Sequence, residues 1–173
     1  MNKLEGKTAV VTGAASGMGL AMARRFAVGG MNVVLADINE SKLSDVVDEI
    51  RTTGGQAQGV VTDVSLEADN IKLLDFAVDT YGTADLVCLN AGVQGSIGRS
   101  WALSKDDYSW TLGILLDGVI HGVRTFVPEM VERDEGHVVL TASIAGHIYS
   151  PFGAPYNVAK HGVAAVAATL FPE

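Results

Sequence analysis

Tyr156 and Lys160 stand four residues apart in the stretch APYNVAK, so a helix would put them on one face. An ammonium close to a phenol favours the phenolate. A tyrosine in that setting could exchange a proton with an alcohol or a ketone near neutral pH. Upstream, at the spacing S-x12-Y, Ser143 ends the β-branched run GHVVLTAS. A hydroxyl there could steady a substrate oxygen. A tyrosine and a lysine at helical spacing are common enough to meet by chance. A serine at one fixed offset, with a glycine-rich turn at the far end of the chain, makes coincidence a poor account of the set.

A shared site needs elements that carry these residues to one place. Short β-branched runs alternate with helical patterns along the chain. TAVVTG at 8–13 is a continuous apolar run closed by glycine, which suits a strand buried on both faces. MGLAMARRFAVGG reads as a helix stopped by Gly29 and Gly30. MNVVLAD is a second strand, and NESKLSDVVDEIRTTGG a helix with Asn39 or Ser41 as N-cap and a Gly54-Gly55 stop. The rhythm continues through AQGVVTDV, EADNIKLLDFAVDTYG and ADLVCLNAG. A long helical region from Lys105 to Val131 follows, then the strand GHVVLTAS and a last helix from about Pro155. Buried strands alternating with helices predict one α/β domain over residues 1–173, a doubly wound parallel sheet joined by right-handed crossovers. Such sheets bind ligands outside the carboxyl ends of their strands, and Ser143 falls at that edge.

The first strand runs into TGAASGMG, with Gly13, Gly17 and Gly19 in the pattern G-x3-G-x-G. A phosphate that hydrogen-bonds to backbone N–H groups must come close, and a Cβ in the wrong place would block it. The following helix adds free amides and a partial positive charge. A turn needed only for tight packing is the plain alternative, but the position between strand and helix favours a dinucleotide. Asp37, in LADIN after the second strand, falls where an adenosine ribose would lie. A carboxylate there accepts from a 2′-hydroxyl and repels a 2′-phosphate, which favours NAD over NADP.

The chain has 173 residues, 48% of them apolar and 18% charged, and a net charge of −8. That is a globular composition with no Lys/Arg cluster, so nucleic acid and anionic membrane are poor partners. The single cysteine, Cys88, lies in an apolar run and reads as a buried structural thiol. His121, His137, His147 and His161 are scattered without metal-ligand spacing, and no metal site is expected. MNKLEGKTAVV lacks a signal peptide's apolar core, and no apolar run is long enough to span a bilayer, which predicts a soluble cytoplasmic protein. Gln94, Ile144, His147, Pro151 and Phe152 are candidate substrate neighbours, and Trp101 and Trp110 are core or cleft lining.

Taken together, TGAASGMG, the acidic DI after the second strand, TDV after the third, NAG after the fourth and S-x12-Y-N-V-A-K resemble the short-chain dehydrogenase/reductase family over the whole chain. The resemblance implies a Rossmann-like fold and an NAD-dependent oxidoreductase acting on a small alcohol or ketone. It implies Tyr156 as general acid/base, Ser143 on the reacting oxygen, and Lys160 on the nicotinamide ribose hydroxyls. Asp63 and Val64 would sit beside the adenine, and Asn90, Ala91 and Gly92 would line the cofactor cleft. Ser16, Met18 and Ile38 would join Gly13, Gly17, Gly19 and Asp37 in the cofactor-binding set, with Tyr156 and Lys160 at its other end. The last helix would lie in a subunit interface of a homodimer or homotetramer.

Three departures qualify that expectation. The family's usual asparagine on the long helix, part of a proton relay to the lysine, is replaced by Leu115. Asp117, the nearest polar substitute, lies about 200° around a helix and should face away. Leu89 likewise stands where an asparagine is usual. The family's later strands and substrate-covering segment do not follow the tyrosine helix, so the strand HVVLTA is expected to lack a neighbour and the domain to be C-terminally incomplete. The alternative functional reading is therefore a catalytically impaired nucleotide-binding member or an inactive fragment. A methyltransferase of similar architecture would explain the glycine turn but not the serine, tyrosine and lysine.

Overall fold

A computed structural model describes residues 4–172. Five parallel strands, β1 (Thr8–Thr12), β2 (Asn32–Asp37), β3 (Gln56–Val61), β4 (Leu86–Leu89) and β5 (His137–Leu140), form one sheet in the order β3-β2-β1-β4-β5. The chain winds outward from β1 to β3, returns to the other side of β1 with β4, and goes on to β5. The crevice beyond the carboxyl ends of β1 and β4 is the point at which this order reverses, where α/β sheets bind ligands.

Alternate side chains feed two cores. Ala9, Val11, Val33 and Leu35 face α1 (Gly17–Val28) and α2 (Glu40–Thr52), packing on Ala23, Val46, Val47 and Ile50. Val10, Val34, Val87 and Leu89 face the other way, onto Leu73 of α3 (Glu67–Tyr81), Phe126 of α5 (Gly118–Glu132) and Val163 of α6 (Ala154–Leu170). All five residues of β1 are buried, as the unbroken apolar run predicts for a strand covered on both faces. The expected doubly wound sheet is thus observed.

The expected caps resolve to single residues. Asn39, not Ser41, caps α2, its side-chain oxygen accepting the Lys42 N–H at 3.0 Å. The expected helix over 105–131 is α4 (Lys105–Leu112), a π-helical turn at Gly113–Asp117 and then α5. Both β4 and β5 end before the motifs that follow them, so Asn90 and Ser143 lie on loops beyond the strands. β5 pairs with β4 alone among the described residues, as expected of HVVLTA.

At the opposite, amino-terminal edge of the sheet, Asp85 fastens β1 to β4. Its buried carboxylate accepts the Thr8 N–H at 2.8 Å and meets Arg133 Nη1 at 3.4 Å and Lys7 Nζ at 3.7 Å. Asp85→Ala strands the Thr8 amide and removes the charge partner. It should cost about 2–4 kcal/mol, read as a lower urea midpoint at unchanged m-value. A loss under about 1 kcal/mol would show that the cluster is only a surface ion pair.

Candidate active site

The glycine turn is built for close approach. A Cβ on Gly19 would overlap the Gly13 carbonyl, so Gly19 lies buried beneath the turn. Gly17 has φ +54°, and a Cβ there would meet nothing within 4 Å. Its backbone therefore opens onto a cleft of about 360 Å³. Ser16 is the N-cap of α1 yet makes no side-chain cap bond, so the first-turn amides keep their anion-binding capacity.

Asp37 sits across this cleft with both carboxylate oxygens engaged. Oδ2 accepts the Ala15 N–H and Oδ1 the Asn39 N–H, each at 2.9 Å. The carboxylate thus pins the glycine turn to the end of β2, while each oxygen retains a lone pair for a further donor. Gly13, Ser16, Gly17, Met18, Asp37 and Ile38 line one side of the cleft. Asp63, Val64, Asn90, Ala91 and Gly92 line the other. Gly19 is the member of the expected turn set that supports the wall from behind. Thr62, the first residue of TDV, also lines the cleft, as do Val93 and Ile114, which no motif signalled. Among the described residues, no lysine or arginine lines its walls.

A second cavity, of about 600 Å³, shares Met18, Asn90, Gly92 and Val93 with the first, so the two form one continuous cleft. Tyr156 and Lys160 both line it, from the first turns of α6. Lys160 Nζ lies 5.8 Å from the centroid of the Tyr156 ring and donates to the Thr141 carbonyl at 2.7 Å. Lys160 is 5% exposed, and this burial pushes its pKa below the ordinary value.

The acceptor of that bond is itself held. Thr141 Oγ1 donates to Asn90 Oδ1 at 3.3 Å, and Asn90 Nδ2 donates to the Thr12 carbonyl at 3.0 Å. The Thr12 hydroxyl accepts the N–H groups of Asn90 and Ala91 at 2.9 and 3.0 Å. A chain of hydrogen bonds therefore joins α6 to the carboxyl ends of β5, β4 and β1. Thr12 and Thr141 read in the sequence as ordinary strand residues, and no spacing marks them as partners.

Ser143 is half-buried beside this cavity but is not among its lining residues. Its Oγ accepts the Ala145 N–H at 3.1 Å and caps the 3-10 turn Ile144–Gly146. Of the candidate substrate neighbours, Gln94 and Pro151 line the cavity, whereas Ile144, His147 and Phe152 are exposed outside it. Trp101 and Trp110 are 81% and 53% exposed and belong to neither core nor cleft. Leu115 is buried in the π-helical turn and lines the cavity with Tyr156 and Lys160, while Asp117 faces out. The helical register expected for both is therefore observed. No group of three potential metal ligands is gathered among the described residues.

Folded Lys160 holds its proton less tightly than an unfolded lysine, because its pKa is lowered by burial. The unfolded chain then binds more protons between the lowered value and the ordinary 10.5, so stability must rise with pH across that window. Relative to Lys160→Met, the parent should gain stability as pH rises from the lowered value towards the ordinary 10.5, measured as the difference between two denaturation series. A flat difference would show that the ammonium is not desolvated.

The short chain dehydrogenase family model matches residues 7–173. An uncharacterized oxidoreductase of Listeria monocytogenes is 35% identical over 92% of this chain and 64% of its own length. A cyclohexanol dehydrogenase of Acinetobacter sp. is 36% identical over 94% of this chain and 64% of its own. A short-chain dehydrogenase/reductase from Burkholderia phymatum, solved in complex with NAD, superposes with a TM-score of 0.96 at 43% identity, covering 99% of this chain and 61% of that one. The chain thus spans a little under two thirds of the relatives it matches. The match over residues 7–173 and the agreement in fold show that the chain belongs to the short-chain dehydrogenase family.

Proposed function

We propose that this chain carries the cofactor-binding and proton-transfer parts of an NAD-dependent oxidoreductase that interconverts a secondary alcohol and a ketone. The observation that carries the proposal is the continuous cleft, which runs from Gly17 and Asp37 to Tyr156 and Lys160. NAD, when bound, supplies the hydride chemistry, and the residues fit it. The open face of Gly17 and the uncapped first turn of α1 suit a pyrophosphate. The free lone pairs of Asp37 suit ribose hydroxyls. A cleft wall with two carboxylates, Asp37 and Asp63, and no cation disfavours the 2′-phosphate of NADP.

Tyr156 is the proton donor and acceptor at the substrate oxygen, and Ser143 gives that oxygen a second hydrogen bond. Lys160 has three donors, of which Thr141 takes one. The others serve the nicotinamide ribose. The thiol of Cys88, pushed up to about 11 by burial, plays no part.

The relatives' names and the cavity of about 600 Å³ beside Tyr156 support a small-molecule partner, with NAD(H) drawn from the cytoplasm. No helix among the described residues is long and apolar enough to cross a membrane. Exposed Ile148, Tyr149 and Val158 beside and on α6 support a homodimer or homotetramer.

Leu115 favours a second reading, a nucleotide-binding member with impaired catalysis, because it offers no side-chain hydrogen bond near Lys160. Tyr156→Phe separates the two. It removes the exchangeable proton and leaves the cleft over Gly17 unchanged, so kcat should fall about 10²-fold or more at unchanged NADH affinity. Equal turnover by parent and variant would contradict Tyr156 as the acid/base. A parent that binds NADH and reduces no ketone would favour the second reading.

A further inference from the structure

We infer that the substrate is an uncharged and predominantly apolar ketone or secondary alcohol, and that polyols and hydroxy acids are excluded; this rests on the reading of Tyr156 and Lys160 above. The cavity around those two residues has apolar walls in Val93, Ile97, Leu115, Ala142, Ala145 and Pro151. Among the described residues, its ionisable side chains are Tyr156 and Lys160, with no carboxylate, arginine or histidine lining it. A substrate carboxylate would find one cation, and that cation is buried and already bonded to the Thr141 carbonyl.

Most polar groups on the walls are spent within the protein. Asn90 is bonded to Thr12 and Thr141. Asn157 donates to the Ser150 carbonyl at 2.7 Å and accepts its N–H at 3.4 Å, which locks its amide against the rim. The Gly98 N–H donates to the Phe152 carbonyl at 2.9 Å, so the rim loops carrying Ile97 and Pro151 form one wall. Leu115 packs toward Gly92, within 3.1 Å of where a Cβ would stand, and keeps the floor apolar. Each additional hydroxyl of a polyol would lose water and face carbon. Gln94 and the Ser150 hydroxyl remain as neutral hydrogen-bonding groups, enough for one further oxygen and too few for a sugar.

The test uses three ketones: acetophenone (neutral and apolar), fructose (polyhydroxylated) and acetoacetate (anionic). Binding to the purified chain is read by saturation-transfer NMR with and without NADH, and reduction by NADH oxidation. The inference predicts binding of acetophenone and a kcat/KM for it about a hundredfold or more above the others. Stronger binding or faster reduction of fructose or acetoacetate would overturn it, as would binding of none. Binding of acetophenone without reduction of any ketone would sustain the substrate class and contradict the catalytic reading instead. Gln94→Lys supplies the missing cation and should shift preference toward acetoacetate by about tenfold. An unchanged preference would show that this wall does not meet the substrate.

Discussion

The hydrogen bond from Lys160 Nζ to the Thr141 carbonyl joins a helix to a strand end that is itself fixed by its neighbours. Thr141 is tied to Asn90, and Asn90 to Thr12 by both its backbone and its side chain. The position of one ammonium thus depends on β1, β4 and β5 ending in register. That register comes from the parallel ladder, in which Val11 pairs with Cys88 and Cys88 with Val139. Hydrophobic burial supplies the force that holds it, since alternate residues of β1 and β4 face two separate cores. The polar chain costs little once the strands are in place, because each of its buried groups has a partner.

The same logic governs the other end of the cleft. Asp37 holds the glycine turn by accepting the Ala15 and Asn39 amides, so the residue that would meet a ribose also sets the shape of the anion site. One carboxylate would then serve both recognition and scaffolding. The two cavities meet at Met18, Asn90, Gly92 and Val93, and Asn90 also belongs to the chain of hydrogen bonds that ends at Lys160. The site is therefore a consequence of how the strands of a doubly wound sheet end, and the loops beyond them need only short reach.

Much of this was legible in the residues. The apolar run TAVVT suited a strand buried on both faces, and G-x3-G-x-G between a strand and a helix pointed to the cleft onto which Gly17 opens. Tyr156 and Lys160 share a face because α6 is regular there. The roles of Thr12, Thr141 and Asn157 were not legible, since a threonine at a strand end bonds to whatever the neighbouring strand presents. That depends on register across pairs far apart in sequence. The capping role of Ser143 escaped for a similar reason: the strand ends at Leu140, and the backbone turns before the serine is reached. The exposed tryptophans show the limit of composition, because a large apolar residue need not be inside.

The central claim is that one cleft accepts NAD between Asp37 and Lys160. It is tested most directly by fluorescence titration of the purified chain with NADH and NADPH, with Asp37→Ala alongside. The account predicts that the parent binds NADH and prefers it to NADPH by about tenfold or more, and that the variant loses that preference. Equal affinity of the parent for both cofactors, or a preference that survives in Asp37→Ala, would contradict it.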